Sequence, residues 1–129
     1  MGSGPRRSAT PWDNIVGMVN GPLGEFEVLV LLAVLRVGDR ANGSAVRADI
    51  EATTSRRIAR GAVYVTLDRL EDKGLLASRL GPRPSTRGGP PTRFYRVSTA
   101  GRRAVTQSVS DIMRMHAGLK ANLPLVDPS

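Results

Sequence analysis

The sequence predicts a mainly α fold with a small two-stranded antiparallel sheet. Three observations carry this. Residues 23–73 contain three segments of helical apolar spacing, the first two separated by the loop "GDRANG". Past Gly74 the period changes to that of strands in "LLASRL" (75–80) and "TRFYRVS" (92–98). From Ser98 the helical period returns and runs to about residue 123. A chain of 129 residues is one domain with a modest core.

Residues 1–11 are small, basic and proline-containing, and are expected to be disordered. In "WDNIVGMV" (12–19), Trp12, Ile15, Val16 and Val19 share one helical face, which predicts a short helix broken by "NGP" at 20–22. "LGEFEVLVLLAVLRV" (23–37) predicts a helix that is apolar nearly all round, with Glu25 and Glu27 as surface charges. Such a helix must be covered on more than one side, which suggests a second subunit at Leu31 and Leu35. After the loop "GDRANG", residues 44–54 form the next helix, with Ser44 as its cap and Val46 and Ile50 inward. Residues 61–73 form the third, with Val63, Leu67 and Leu70 as its apolar stripe and Gly74 as its stop.

The two strands are separated by a Gly- and Pro-rich segment, 81–92, too long for a tight turn. Ser98 caps the last helix, 98–123. Val105, Val109, Ile112, His116, Leu119 and Leu123 recur there at spacings of 4, 3, 4, 3 and 4, a heptad-like seam that needs a partner. Helix, loop, helix, loop, helix and ribbon is the order of a winged helix-turn-helix. The chain thus divides into residues 1–11, a winged helix-turn-helix over 12–98, and a C-terminal dimerisation helix and tail over 99–129.

Composition narrows the partner. The formal net charge is +8, from 19 Lys and Arg against 11 Asp and Glu, which points to a polyanion. Residues 77–103 hold seven arginines and no carboxylate. The absence of cysteine removes disulfides, thiolate metal sites and thiol nucleophiles, and fits a cytoplasmic location. The longest apolar run, Val28–Leu35, is eight residues, too short to cross a bilayer. There is no second histidine or phosphate loop of Walker type, so no catalysis and no cofactor are expected.

Double-stranded DNA is the expected partner. The third helix would offer its polar side to a major groove while the ribbon reaches across phosphates. Arg60, Ala62, Val65, Thr66 and Arg69 are expected to face the bases, since Arg pairs with guanine edges and Thr with bases or phosphates. Tyr64 can pack its ring under the helix and offer its hydroxyl to a phosphate. On the ribbon, Arg79, Arg83, Arg87 and Arg93 are the expected backbone contacts.

These residues resemble the PadR family of bacterial transcription regulators. The resemblance lies in "LGEFEVLVLLAVL", "GAVYVTLDRLEDKGLL" and "RGGPPTRFYRVSTAGRRAV", and spans about residues 23–106. It implies a homodimeric repressor of the short-tailed type, which binds palindromic operators and releases them on binding a small molecule. It also implies dimerisation through the C-terminal helices and the first or N-terminal helices. Two positions depart from it: Asn42, where members carry an aromatic residue, and Ala59, where they carry a serine that caps the recognition helix.

Single residues have plainer readings too. Trp12 suits an anchor against the partner subunit better than an effector site, although its ring would stack on a small aromatic effector. His116 belongs to the packed seam rather than to a pH switch, and too few ligands surround it for a metal site. Met113 and Met115 read as gap-fillers. Three other readings share the composition: an effector-independent DNA binder, a winged-helix protein-interaction module, and a peripheral membrane binder, which lacks its basic amphipathic helix here.

Overall fold

The computed structural model describes residues 23–82 and 90–119. Trp12, the 12–19 helix, Arg83, Arg87 and Leu123 lie outside them. The elements are α1 (Glu25–Val37), a 3-10 turn (Gly38–Arg40), α2 (Gly43–Thr54), α3 (Arg60–Asp72), β1 (Leu76–Leu80), β2 (Arg93–Val97) and α4 (Thr99–Ala117). This is the helical chain with one small antiparallel sheet that the sequence predicts.

α1 is the central element. α2, α3, α4 and β2 all pack on it. Val30, Leu31, Ala33 and Val34 are buried within the subunit, with Val46 and Ile50 of α2, Val63, Leu67 and Leu70 of α3, and Tyr95, Val97 and Val105. Each buried Val or Leu contributes about 1.5–3 kcal/mol over its exposed state. Leu31 is fully buried and Val105 nearly so, which corrects their assignment to a subunit interface: the chain's own elements cover them. Leu32 and Leu35, only half-covered, lie on the open side of α1.

The helix ends follow local chemistry. Glu27, in the first turn of α1, reaches back to accept the Gly24 backbone N–H at 3.0 Å. It also accepts from Lys73 Nζ at 2.9 Å, and its side chain is only 10% exposed, so it is not the surface charge expected. α2 is capped by Asn42, whose Oδ1 accepts from Ala45 N at 2.8 Å. The expected cap, Ser44, lies inside the helix because α2 starts at Gly43. Ala59 stands at the cap of α3 and offers no side-chain acceptor.

α3 ends in a Schellman turn. Leu75 N donates to Leu70 O and Gly74 N to Glu71 O, both at 2.9 Å. This requires the left-handed φ of 78° at Gly74, where a side chain would be strained. The same turn meets the start of α4. Ser98 Oγ donates to Gly74 O at 2.7 Å and accepts from Gly101 N at 3.0 Å, making Ser98 the cap of α4 as expected. Ser98 N donates to Leu75 O at 3.0 Å, and a Cβ on Gly101 would collide with that same carbonyl oxygen.

β1 and β2 pair antiparallel with Ser78 opposite Tyr95 and Arg79 opposite Phe94. On the free edge of β2, Tyr95 N donates to Ala41 O at 2.8 Å, so the stretch before α2 adds one ladder bond to the ribbon.

Candidate nucleic-acid interface

α3 divides cleanly into two sides. Val63, Thr66, Leu67 and Leu70 are buried; Arg60, Ala62, Tyr64, Val65, Asp68 and Arg69 are exposed. Thr66 is therefore not among the outward residues, contrary to expectation: it is 5% exposed. It stands three residues after Val63 and four before Leu70, on the same face of the helix. Along the exposed side, the 100° step puts Val65 near the middle, Arg60 and Tyr64 on one edge, and Ala62 and Arg69 on the other.

Tyr64 is seated by Gly43. A Cβ on that glycine would collide with the tip of the Tyr64 ring. The ring thus lies against the first turn of α2, and a small hollow of about 90 Å³ opens between Ser44, Arg47, Arg60 and Tyr64. The segment joining α2 to α3 is braced from both sides. Arg47 Nε donates to Ile58 O at 2.7 Å, and Glu51 Oε2 accepts from Ile58 N at 2.8 Å. Arg56 pairs with Glu25 at 2.8 Å, and each shifts the other toward the charged form: hydrogen bond first, charge second. Arg57 and Arg60, on either side of Ile58, have no carboxylate within 4.0 Å among the described residues.

The acidic end of α3 is used internally. Glu71 accepts from Ser78 Oγ at 2.7 Å, and Ser78 Oγ accepts from Arg93 Nη1 at 2.8 Å. Burial first, then the charges of Asp68 and Glu71, raise the Tyr95 phenol above its ordinary value. Asp68 is exposed and repels phosphate, so it interrupts the cationic part of the exposed side, with Arg60 before it and Arg69 after it.

The ribbon separates arginines that the sequence left together. Residues opposite one another share a face. Leu76, Ser78, Tyr95, Val97 and Arg93 lie on the α3 side; Arg79, Phe94 and Arg96 lie on the other. Arg93 is thus brought to α3, whereas Arg79 turns away from it. The guanidinium of Arg79 stacks over Phe94, 5.0 Å from the ring centroid.

The seam of α4 splits. Val109 is half-buried, while Ile112, His116 and Leu119 are exposed. Met113 and Met115, expected to fill gaps, are 65% and 77% exposed. Leu32, Leu35, Val105, Val109, Met113 and Ala117 line a groove of about 700 Å³ between α1 and α4. The sequence reading missed Leu32 there, and Arg40 and Arg57 among the uncompensated cations. No helix among the described residues is long and apolar enough to cross a membrane.

Comparison with known proteins agrees with this arrangement. The model of the transcriptional regulator PadR-like family matches residues 31–107. A PadR family transcriptional regulator from Eggerthella lenta is 25% identical, with a TM-score of 0.60 over 92% of this chain and 100% of that one. A PadR family regulator from Clostridium difficile is 19% identical, with a TM-score of 0.62 over 76% of this chain and 97% of that one. MarR of Escherichia coli, without ligand, is 19% identical, with a TM-score of 0.56 over 90% and 87%; it is similar in fold. No curated protein matches the chain in sequence.

Proposed function

Because this chain belongs to the PadR-like family of transcriptional regulators, we propose that it is a homodimeric, cytoplasmic repressor that reads a palindromic operator with α3. The observation that carries the reading is the exposed side of α3. There Arg60, Tyr64, Val65 and Arg69 stand outward, and neither arginine has a carboxylate partner among the described residues. Arg60 and Arg69 take guanine edges or phosphates, Tyr64 a phosphate, and Ala62 and Val65 the apolar edge of thymine. Arg93, held on the α3 side through Ser78, reaches the adjacent backbone together with Arg83 and Arg87.

The pairing of subunits rests on α4. Ile112, Met113, Met115 and Leu119 are all at least 47% exposed, a run of large apolar side chains that a monomer rarely leaves in water. A second copy packing there, with Leu35, Val109, His116 and Trp12 alongside, sets two α3 helices about 34 Å apart, one turn of B-DNA. The α1/α4 groove shares Leu35, Val109 and Met113 with that surface, so an apolar effector seated in it would compete with the pairing.

The test is a gel shift with DNA from upstream of the protein's own gene and with random DNA, over a range of salt. Specific retention whose logarithm falls linearly with the logarithm of salt is expected. Weak binding that salt does not change would instead favour a protein-interaction module.

A further inference from the structure

The groove between α1 and α4 has a wall of two rows on its α4 side. Val105, Val109, Met113 and Ala117 recur every four residues and make one apolar row. Arg102, Thr106, Ser110 and Arg114 recur at the same interval and make a polar row beside it. Leu32 and Leu35 of α1 form the opposite wall. From Val105 to Ala117 the apolar row runs about 18 Å, at 1.5 Å of rise per residue. The groove is thus long, apolar along its floor and polar along one rim.

The two guanidiniums on that rim differ. Arg114 Nη1 lies 3.5 Å from Asp111 Oδ1, and its Nη2 donates to Ser110 Oγ at 3.3 Å. Arg102 is exposed and has no carboxylate within 4.0 Å among the described residues. The uncompensated charge therefore stands at one end of the apolar row, and Thr106, one turn on, adds a hydroxyl beside it. An arginine fork takes a carboxylate through two parallel hydrogen bonds. None of the described lining residues is aromatic, so no ring stands ready to stack on a flat ligand. Leu, Val and Met side chains suit a flexible aliphatic chain instead.

We propose that the α1/α4 groove binds a free long-chain carboxylate, with its head on Arg102 and its chain along Val105, Val109 and Met113, against Leu32 and Leu35. The chain covers Leu35, Val109 and Met113, which a second copy would also cover, so the ligand divides the dimer. That consequence rests on the pairing through α4 proposed above.

The experiment titrates the full-length protein by calorimetry with laurate below its micellar concentration. Dodecylamine has the same chain with a cationic head, and benzoate has the head without the chain. Laurate should bind at one molecule per subunit and at least about tenfold more tightly than either. Arg102→Gln should weaken laurate by about tenfold and should not weaken dodecylamine. Arg103→Gln, also exposed but outside the groove lining, should leave laurate unchanged. In light scattering, saturating laurate should convert the dimer to monomers. Equal affinity for laurate and dodecylamine overturns the proposal, as does an Arg102→Gln protein that binds laurate like the wild type. A dimer that saturating laurate leaves whole also overturns it and assigns the groove to the second copy. Tighter laurate binding by Trp12→Asp than by the wild type would assign the groove to residues 12–19 of the chain itself and overturn it likewise. A protein that is already monomeric without laurate removes the pairing reading, and the calorimetric arms then decide the carboxylate site alone.

Discussion

The Tyr64 ring rests on Gly43, at the point where α3 meets the start of α2. Replacing Gly43 by Ala puts a methyl where the ring lies, and the exposed tyrosine must swing away. Helix propensity slightly favours Ala, so stability should change by less than about 1 kcal/mol. DNA affinity should fall about five- to tenfold, a loss of about 1 kcal/mol. The check is a double-mutant cycle: Gly43→Ala combined with Tyr64→Ala should be no worse than Tyr64→Ala alone.

Thr66 and Arg69 should respond in opposite ways. Thr66 is buried, so Thr66→Ala should lower unfolding stability by about 1 kcal/mol and leave the ratio of specific to random binding unchanged. Arg69 is exposed, so Arg69→Ala should leave stability within about 0.5 kcal/mol and weaken specific binding by about 1–3 kcal/mol. Denaturation curves and paired binding titrations read the two effects separately.

Acid should loosen the tie between Glu27 and Lys73. Burial alone raises the Glu27 carboxyl. Hydrogen bonds from Lys73 and Gly24 N–H, with the charges of Lys73 and Arg69, outweigh it and hold the group below its ordinary value. A carboxyl lowered by folding stabilises the protein above its unfolded pKa, about 4.3, and that stabilisation is lost as pH falls through the folded value. Glu27→Gln should therefore cost about 1–2 kcal/mol at pH 7, discounted for the 39% exposure of Lys73, and less near pH 3. Urea unfolding at the two pH values measures the difference.

Leu31 and Met113 distinguish folding from association. Leu31→Ala should lower unfolding stability by about 2–5 kcal/mol, as expected for a fully buried leucine. Met113→Asp, on an exposed position, should leave the subunit folded and shift the protein from dimer to monomer in light scattering at micromolar concentration.

Most of the fold was legible because each element carries its own period. Ser98 announces α4, Gly74 ends α3, and the change of period at 75 marks the ribbon. Thr66 was legible too, but its hydroxyl outweighed its position: the spacing from Val63 to Leu70 already turned it inward. Other features depend on partners far along the chain. Glu27 is buried because Lys73, 46 residues away, meets it. Arg79 faces away from α3 because the register pairs it with Phe94. Leu31 looked like an interface residue because a strongly apolar α1 seemed to exceed what one subunit can cover, and Val105 because it opens the seam of the last helix; four elements packed around α1 cover most of it, and Val105 is buried in the same core.

The joint at Leu75 leaves no hinge between α3 and α4. Gly74, Leu75, Ser98 and Gly101 lock the end of α3 to the start of α4 by backbone bonds and close packing. Two subunits joined through α4 would then behave as a calliper of fixed opening. One base pair added at the centre of its site would rotate one half by about 34° relative to the other, a tenth of a turn. A calliper that cannot twist at this joint has to release one arm, so tolerance to spacer length becomes a direct reading of how stiff these four residues are.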